Sequence, residues 1–509
     1  MKYINKLILT CLSSLAIFTS PTNLNAAAVD HIAQYGVTWT FQEKHESGQF
    51  ANGDYWVVGP VKIIKIDPSS SELMGTTTKD GFTLGGSKPT ARTMNGSMLN
   101  PVPLPSSMQA YDSNMYVGAG IYPQSASYDA HLNVALGVNA AHPLELPPDS
   151  SLVSSISYEY GGRTQMKAAA VLTVLGRIPP DNGATSFRPP YSGTSKPLYS
   201  TKNLRKNLLL NLPLPSVTPN SQAFNVLLKL FERPWLDHFS HAIDGTQYSS
   251  PADNMPQYGR EYMTAIGDAC LLLLLNENDF KTKYGQNKDV LLIRLVQVGI
   301  DLYHITENGG TFPCNGGLNH GRKWPIIFAG LMLDQERMRT IGSRSHEMPF
   351  WGFQEDAQTQ YIDQSHVDLT QSSAWQPDRR VECIPFDKSD IGTPEWNIGG
   401  FAPNLRGPKM LNKSFWANYR ELNSGSYPGV VLSALLLGQK KAWNHDALFD
   451  YTDRWIAWNA PTQTWDVDKK MLVNPPNNLT AKFISKFQQS MWETYRLKVD
   501  TIAKTIPSK

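Results

Sequence analysis

Residues 315–333 have the sequence NGGLNHGRKWPIIFAGLML, in which a polar, glycine-rich loop is followed at once by an apolar run. The loop ends in Asn319, His320 and Arg322. The apolar run predicts a buried helix, and the first backbone N–H groups of a helix have no partner within it. Together with the helix dipole, these groups favour negative charge. The stretch therefore predicts a polar site at the start of a core helix, with an anion as its ligand.

Two further stretches repeat this pattern. Residues 253–262 (DNMPQYGREY) precede the apolar run MTAIGDACLLLLL, and residues 423–429 (NSGSYPG) precede VVLSALLLG. Aligned on the glycine, residues 258–262 (YGREY) match residues 320–324 (HGRKW) as ring, glycine, arginine, charge and ring. Each of the three loops delivers a tyrosine or histidine to the start of an apolar helix. The repetition predicts one cleft built from several helical hairpins.

The chain begins with the features of an export signal. Lys2 and Lys6 precede the apolar run 7–18, and the small residues 26–28 follow as a cleavage region. This pattern is typical of a secretory signal peptide, and its apolar run is shorter than the roughly 20 residues of a spanning helix. We assign residues 1–27 to the signal peptide. The sequence predicts a secreted or periplasmic protein without membrane insertion.

The region after the signal peptide is expected to be rich in β-structure. Short runs of β-branched and aromatic residues are separated by Gly, Pro, Ser and Asn, and residues 57–66 alternate in polarity as a strand does. These features predict a β-sandwich over residues 28–178. Pro179 and Pro189, each followed by a second proline, then indicate a linker, which we assign to residues 179–219.

From residue 220 onward the periodicity becomes helical. Residues 289–306 are amphipathic, whereas residues 262–276 are apolar nearly all round and predict a buried helix. Buried and amphipathic helices alternate along the chain and are joined by long polar loops. This alternation predicts an α/α toroid, or incomplete barrel of helical hairpins, as a catalytic domain over residues 220–509. The predicted fold class is therefore multidomain α and β.

Charge and cysteine content argue against several classes of function. The formal charge of +2 is spread without runs of Lys or Arg, which argues against a nucleic-acid surface. Cys270, Cys314 and Cys383 are too widely spaced for a CxxC zinc pattern. His238 and His241 could share a helix face, but no third ligand follows at a recognisable spacing. We therefore expect no metal and no cofactor.

The loop residues match what β-elimination of a uronic-acid polysaccharide requires. The carboxylate beside the acidic C5–H must be neutralised, a role suited to Asn319 and to Arg260 or Arg322. A base must remove the C5 proton, and an acid must protonate the leaving glycosidic oxygen. His320 and Tyr258 are the candidates for these two roles, in either order.

With these loops, the chain resembles at the level of class the α/α-toroid polysaccharide lyases, which act on alginate, glucuronan or glycosaminoglycans. The resemblance rests on the export signal, the helical hairpins of residues 220–440, and the motifs Asn319-His320 and Tyr258-Gly259-Arg260. It implies an acidic polysaccharide as substrate and a site assembled from different loops. Many of those lyases carry the β-sandwich after the helices, whereas here it comes first. The further residues expected to bind substrate are Trp324, Tyr427, His241, Asn254 and Asn315.

A glycoside hydrolase is the second interpretation. It would need two carboxylates about 5–10 Å apart, one acting as acid and the other as base or nucleophile. The adjacent pair Glu355 and Asp356, in an aromatic loop, is the best candidate, followed by Asp253, Asp244 and Glu395. None of these carboxylates recurs with the loop–helix pattern.

A third interpretation is non-enzymatic. An exported glycan-binding protein would stack sugar rings on aromatic side chains such as Trp39, Tyr55 and Trp56. Structural roles compete as well, because Asn319 also suits a helix N-cap and Tyr262 also suits the core.

Overall fold

A computed structural model describes most of the chain after the predicted signal peptide. The described residues are 26–73, 92–104, 108–113, 128–158, 166–239, 252–256, 258–312, 317–345, 347–348, 352–373, 385–396, 419–457, 464–466, 471–473 and 482–505. Residues 1–25 of the predicted signal peptide lie outside these ranges, as do His241, Asp244, Cys314, Asn315 and Cys383. The predictions made for them therefore stay predictions.

The N-terminal part of the chain forms a sheet of eight strands. This part of the chain contains ten strands, of which β5 and β6 form a separate pair. The strands are β1 (Ala27–Gln34), β2 (Val37–Gln49), β3 (Tyr55–Val58), β4 (Val61–Asp67), β5 (Ser71–Leu73), β6 (Arg92–Met94), β7 (Ser97–Leu99), β8 (Leu144–Leu146), β9 (Ser150–Ser157) and β10 (Met166–Leu175). The order in the sheet is β7-β9-β10-β3-β2-β4-β8, with β1 also paired to β2, while β5 pairs with β6. β10 runs parallel to β3, and the other neighbours are antiparallel.

Two irregularities bend this sheet around its longest strand, β2. The register shifts within residues 29–31 of β1 and within residues 40–41 of β2. Such bulges increase the local bend and twist. β2 thereby comes over β9, where Trp39 Nε1 donates to Ser154 Oγ across 3.0 Å. The predicted β-rich region is confirmed, and the layering expected of a sandwich is present in part, because one curled sheet supplies it.

The two faces of β10 enter different hydrophobic cores. Ala170, Leu172 and Val174 pack among strands, whereas Ala169 and Val171 belong to a larger core that the sheet shares with the helices. This division follows from the strand itself, in which successive side chains point to opposite faces. β10 therefore joins the sheet to the rest of the molecule.

The remaining described residues are largely helical. The helices are α1 (Ser221–Leu230), α2 (Gly259–Leu273), α3 (Glu277–Tyr284), α4 (Asp289–Glu307), α5 (Lys323–Leu333), α6 (Glu336–Arg339), α7 (Ile341–Ser345), α8 (Gln354–Ala357), α9 (Gln364–Gln371), α10 (Tyr419–Asn423), α11 (Tyr427–Leu436), α12 (Lys440–Trp443), α13 (Asp446–Ala457), α14 (Lys486–Tyr495) and α15 (Val499–Ala503). Two short strand pairs accompany them: β11 (Thr359–Tyr361) with β12 (Pro394–Trp396), and β13 (Thr464–Asp466) with β14 (Met471–Val473).

Glycines allow the central helices to pack closely. A Cβ atom on Gly267 of α2 would lie 3.0 Å from the Cα atom of Gly429 in α11. A Cβ atom on Gly299 of α4 would lie 2.2 Å from the carbonyl oxygen of Pro325 in α5. α2 and α5, which follow two of the polar loops, are therefore fixed against α11 and α4.

The middle of the segment predicted as a linker, residues 186–193, is buried. Arg188 is completely buried and pairs with Asp54 beside the sheet, at 2.6 Å, and with Asp301 of α4. Phe187 and Tyr191 belong to the core that strands and helices share. The sheet and the helices are therefore joined by a common core and a buried ion cluster.

The fold class predicted from the sequence is confirmed at the level of a mixed α and β protein. The toroidal arrangement of the hairpins stays a prediction. Among the helices in the described ranges, none is both long and apolar enough to cross a bilayer. Within the same residues, no group of three or more His, Cys, Asp or Glu side chains is arranged to hold a metal ion.

Candidate active site

The structure brings the three polar loops together. A Cβ atom on Gly259, at the start of α2, would lie 2.1 Å from the carbonyl oxygen of Gly317. A Cβ atom on Gly317 would in turn lie 2.2 Å from Asn423 Oδ1. The loop before α11 also reaches the loop before α5 through Tyr427 Oη, which lies 3.0 Å from His320 Nε2. Glycine is needed at 259 and 317 because any side chain there would collide with the neighbouring loop.

His320 lies at the centre of this meeting point. Its Nε2 atom contacts Tyr427 Oη at 3.0 Å and Gln358 Oε1 at 2.5 Å. The Trp396 ring stacks on Tyr427, with 6.3 Å between ring centroids and 12° between the planes. His320 and Tyr427 are both fully buried. Packing thus holds the phenol hydroxyl and the imidazole in hydrogen-bond contact.

Burial determines the charge of His320 by lowering its pKa to about 3. The positive charge of Arg322 lowers the pKa further. The contacts with Gln358 and Asn423 raise the pKa, but by less than burial lowers it. The imidazole is therefore neutral at neutral pH. Because the amide oxygen of Gln358 can only accept, Nε2 carries the proton and Nδ1 carries the lone pair. A neutral imidazole next to a phenol can accept a proton or relay one.

Arg322 faces the protein interior. Its Nε and Nη2 atoms donate to the two carboxylate oxygens of Asp237, each across 3.1 Å. Its guanidinium carbon lies 3.5 Å from the centroid of the Tyr262 ring, and Nη1 donates to the His320 carbonyl oxygen across 2.9 Å. Removing one partner of a buried ion pair costs about 3–5 kcal/mol. The predicted role of Arg322 in neutralising a substrate carboxylate does not fit this geometry.

Tyr258 and Arg260 lie at the start of α2, where the chain is more accessible. Tyr258 is half-buried. The Arg260 side chain is 25% exposed and pairs at 2.6 Å with Glu261, whose side chain is 39% exposed. A partly exposed pair of this kind is worth roughly 0–1 kcal/mol, because water competes for both charges. Arg260 can therefore exchange Glu261 for another carboxylate at small cost.

Several aromatic residues expected to bind sugar lie in hydrophobic cores. Trp324 is fully buried, its ring centroid lies 6.0 Å from that of Trp443, and its Nε1 atom donates to Cys270 Sγ across 3.0 Å. Trp39 and Trp56 are also fully buried. An indole covered by protein on all sides offers no face to a sugar ring. Trp324, Trp39 and Trp56 are therefore core residues, and the sugar-binding roles predicted for them lose their support.

Asn254 and Asp253 lie beside Arg233. Asn254 Nδ2 donates to the Arg233 carbonyl oxygen across 3.2 Å, and Asp253 Oδ1 pairs with Arg233 Nη2 at 2.5 Å. The Arg233 guanidinium also lies over the ring of Tyr35, 5.6 Å from its centroid. These contacts fix the loop before α2 against the sheet, which gives Asn254 a structural role.

The carboxylates of the hydrolase interpretation hold the loop before α5. Glu355 accepts the backbone N–H groups of Gly321 and Lys323 at 3.3 and 3.4 Å, and burial, with the charge of Asp356, raises its pKa to about 7. Asp356 binds the Lys323 ammonium group and accepts Trp443 Nε1–H at 2.8 Å. The sequence predicted an anionic ligand at the start of α5, and Glu355 of the chain itself occupies that place.

Two glutamines were missed by the sequence analysis. Gln354 Oε1 accepts the backbone N–H of Asn319 at 2.6 Å, and Gln358 contacts the His320 ring. Asn319 is therefore held by its backbone, and the residue that caps α5 is Arg322. The spacing of four between the glutamines is the signal that could have revealed them, because residues four apart share one face of a helical turn.

A second buried histidine lies next to Asp237. His238 Nε2 contacts Tyr111 Oη at 3.1 Å and Nδ1 contacts Tyr191 Oη at 3.3 Å. Tyr191 donates its own proton to the Trp235 carbonyl oxygen at 2.8 Å, so it accepts the Nδ1 proton and leaves the Nε2 lone pair facing Tyr111. Burial lowers the pKa of His238 to about 3. The residue considered as a metal ligand is thus a neutral member of a hydrogen-bonded chain.

We expect His238→Gln to weaken the pH dependence of stability. Because the folded-state pKa is depressed, the unfolded chain binds the proton first as the pH falls below about 6.5. The wild type should therefore lose up to about 1.4 kcal/mol of unfolding free energy per pH unit relative to the variant. Urea unfolding between neutral and mildly acidic pH measures this difference. His142→Gln, at an exposed position, is the control, and equal slopes for wild type and His238→Gln would contradict the assignment.

Comparison with known proteins adds no relative. No protein-family model, no curated protein and no solved structure matches the chain. The function is therefore inferred from the geometry of the site.

Proposed function

We propose that this protein is an exported polysaccharide lyase that cleaves a uronic-acid-containing polysaccharide by β-elimination. The proposal is carried by the contact between His320 Nε2 and Tyr427 Oη, 3.0 Å apart where three loops meet. An imidazole and a phenol in contact can act as a proton-transfer pair. Amides accompany the pair, since Asn319 precedes His320 and Gln358 hydrogen-bonds to its ring.

In the proposed reaction, His320 and Tyr427 carry the two proton transfers. Tyr427 takes the role that the sequence analysis gave to Tyr258, because its hydroxyl contacts the His320 ring. One of the two residues removes the C5 proton, and the electron pair of the C5–H bond forms the C4–C5 double bond as the C4–O bond breaks. The other protonates the leaving glycosidic oxygen. Because the two groups lie 3.0 Å apart, the protonated base can return a proton to the deprotonated acid, which leaves both groups neutral.

Arg260 is the arginine proposed to neutralise the uronate, with Asn319 as a further donor. The choice rests on the free energies of the competing ion pairs. Releasing Arg322 from Asp237 would cost about 3–5 kcal/mol, because the pair is fully buried. Releasing Arg260 from Glu261 would cost no more than roughly 1 kcal/mol, because both side chains are partly exposed.

The hydrolase interpretation is less well supported by the same contacts. Glu355 is engaged by two backbone N–H groups, and Asp356 by an ammonium group and an indole. A catalytic carboxylate must instead be available to the glycosidic oxygen or to water. These two residues therefore serve the structure of the loop in the proposed account.

We expect Glu355→Gln to retain lyase activity within about threefold. Since burial raises the pKa of Glu355 to about 7, the amide resembles the protonated acid that prevails below neutral pH. A hydrolytic acid or base at this position would instead give a loss of about 10²–10⁴-fold. Initial rates of the variant and of wild type on the same polymer decide between these outcomes, with His320→Gln as the inactive reference.

Product mass tests the reaction class. An oligosaccharide of defined length is incubated with the mature protein, and the fragments are weighed by mass spectrometry. β-Elimination should give a fragment with a new, unsaturated non-reducing end that is lighter by one water molecule than a hydrolytic fragment of equal length. Fragments of full hydrolytic mass would overturn the lyase proposal and favour the carboxylates.

A further inference from the structure

We propose that Asp237 and Arg322 form a positioning pair that sets the location of His320 from inside the protein. The inference deepens the proposed function and rests on it for its catalytic consequence. Asp237 is 85 residues from Arg322 in sequence, and no sequence motif connects the two. Arg322 donates to backbone carbonyl groups of the catalytic loop, so the expected effect of the pair on the reaction is indirect.

Arg322 acts on the loop through carbonyl groups. Its Nη1 atom donates to the carbonyl oxygens of His320, at 2.9 Å, and Leu318, at 3.4 Å. These two carbonyls flank Asn319. Gly321 then adopts a φ of +87°, a conformation that favours glycine, and turns the chain into α5. The guanidinium group therefore fixes both sides of the Asn319-His320 motif.

Asp237 and Tyr262 hold the guanidinium group in turn. Asp237 accepts from Nε and Nη2, both at 3.1 Å, and the Tyr262 ring lies 3.5 Å below the guanidinium carbon. Only arginine has a planar group in which two nitrogen atoms can donate to one carboxylate while the third donates to a carbonyl oxygen of the loop. Since Asp237, Tyr262 and Arg322 are all fully buried, water does not compete for these bonds.

The pair of Asp237 and Arg322, called the clamp below, is itself anchored to the rest of the fold. Asp237 is followed by His238, which contacts Tyr111 and Tyr191. Tyr111 lies on the sheet side of the shared core, and Tyr191 lies in the buried connecting segment. A misplacement of about 1 Å between reacting groups can lower a rate by about 10²-fold, so a fixed loop has catalytic value.

The test uses the full mature protein with single and paired substitutions. Asp237→Asn and Arg322→Lys change the side-chain volume little, but each removes the pair of hydrogen bonds between the guanidinium group and the two carboxylate oxygens. Asp237→Leu combined with Arg322→Met removes both charges, a replacement that buried ion pairs often tolerate without loss of folding. Asp453→Asn is the control for loss of a two-point ion pair, because Asp453 pairs in the same way with Arg496 near the Trp492 ring, in a pair that is partly exposed.

Two readouts separate positioning from general damage. We expect kcat to fall about 10- to 100-fold in the three clamp variants, with KM changed less than about threefold, and the control to match wild type. We also expect the imidazole NMR signal of His320, assigned through His320→Gln in protein labelled with carbon-13 histidine, to shift or broaden in the clamp variants. A folded Leu/Met double variant with wild-type kcat and an unchanged His320 signal would overturn the proposal.

The same experiment distinguishes failure of the clamp from failure of the lyase proposal. If the wild type cleaves no uronic-acid polymer by elimination, the proposed function fails. The NMR comparison still decides the clamp in that case, because it reports the surroundings of His320 without substrate. A signal altered in the double variant but unchanged in Asp453→Asn supports the clamp, and an unchanged signal in both rejects it.

Discussion

Tyr427→Phe is expected to lower kcat for β-elimination by about 10²–10⁴-fold while leaving the melting temperature nearly unchanged. The substitution removes one oxygen atom, which lies 3.0 Å from His320 Nε2, and keeps the ring that stacks on Trp396. His320→Gln should give a loss of similar size, because the proposal assigns the two residues to one proton-transfer pair. Initial rates and thermal unfolding of the purified variants measure both quantities.

Tyr451→Phe is the matched control for this prediction. Tyr451 is also fully buried and packs near Tyr427, with 6.3 Å between ring centroids, but its hydroxyl contacts Ser424 Oγ at 2.7 Å. It should keep most of the activity. Comparable losses in Tyr451→Phe and Tyr427→Phe would mean that packing, and not the contact with His320, explains the effect. Full activity of Tyr427→Phe would remove Tyr427 from the mechanism.

Arg188→Met is expected to destabilise the protein by about 3–5 kcal/mol. Arg188 is fully buried between Asp54 and Asp301, and both carboxylates are themselves buried. The variant would leave two negative charges in the interior without their shared cation. Because Asp54 lies beside the sheet and Asp301 lies in α4, the loss should affect the whole molecule. Urea unfolding followed by circular dichroism measures it.

Arg205→Met provides the comparison for Arg188. Arg205 pairs with Asp334 at 3.0 Å, but the side chain of Asp334 is 61% exposed. A pair of this kind contributes roughly 0–1 kcal/mol. A cost for Arg188→Met no larger than that for Arg205→Met would show that the cluster does not join the sheet to the helices.

The meeting of the three loops could be predicted from the sequence because each loop leads into an apolar helix. Such helices pack against one another in a core, so the loops at their N-terminal ends come close. The glycines at 259 and 321 were visible in the repeated pattern, and in the structure a Cβ atom on Gly259 would lie 2.1 Å from the Gly317 carbonyl oxygen and one on Gly321 would lie 3.0 Å from the Met263 backbone. The β-rich first part was predictable for a similar local reason, namely its alternation and its turn residues.

Pairings between distant residues could not be predicted in the same way. Nothing near Arg322 in the sequence indicates Asp237, and nothing near Arg188 indicates Asp301, 113 residues away. The role of Trp324 could not be predicted either, because an aromatic residue between a loop and a helix is equally consistent with stacking on a sugar and with packing in the core. Its contact with Trp443 decides for the core.

The measurement that tests the central claim most directly is an ultraviolet absorbance assay of the mature protein on alginate, polyglucuronate, pectate, hyaluronan and heparan-type chains. β-Elimination leaves a double bond conjugated to the uronate carboxylate, whereas hydrolysis leaves only a new reducing end. We predict that absorbance grows on at least one of these polymers and that His320→Gln and Tyr427→Phe abolish the growth. New reducing ends without any gain in absorbance would contradict the account.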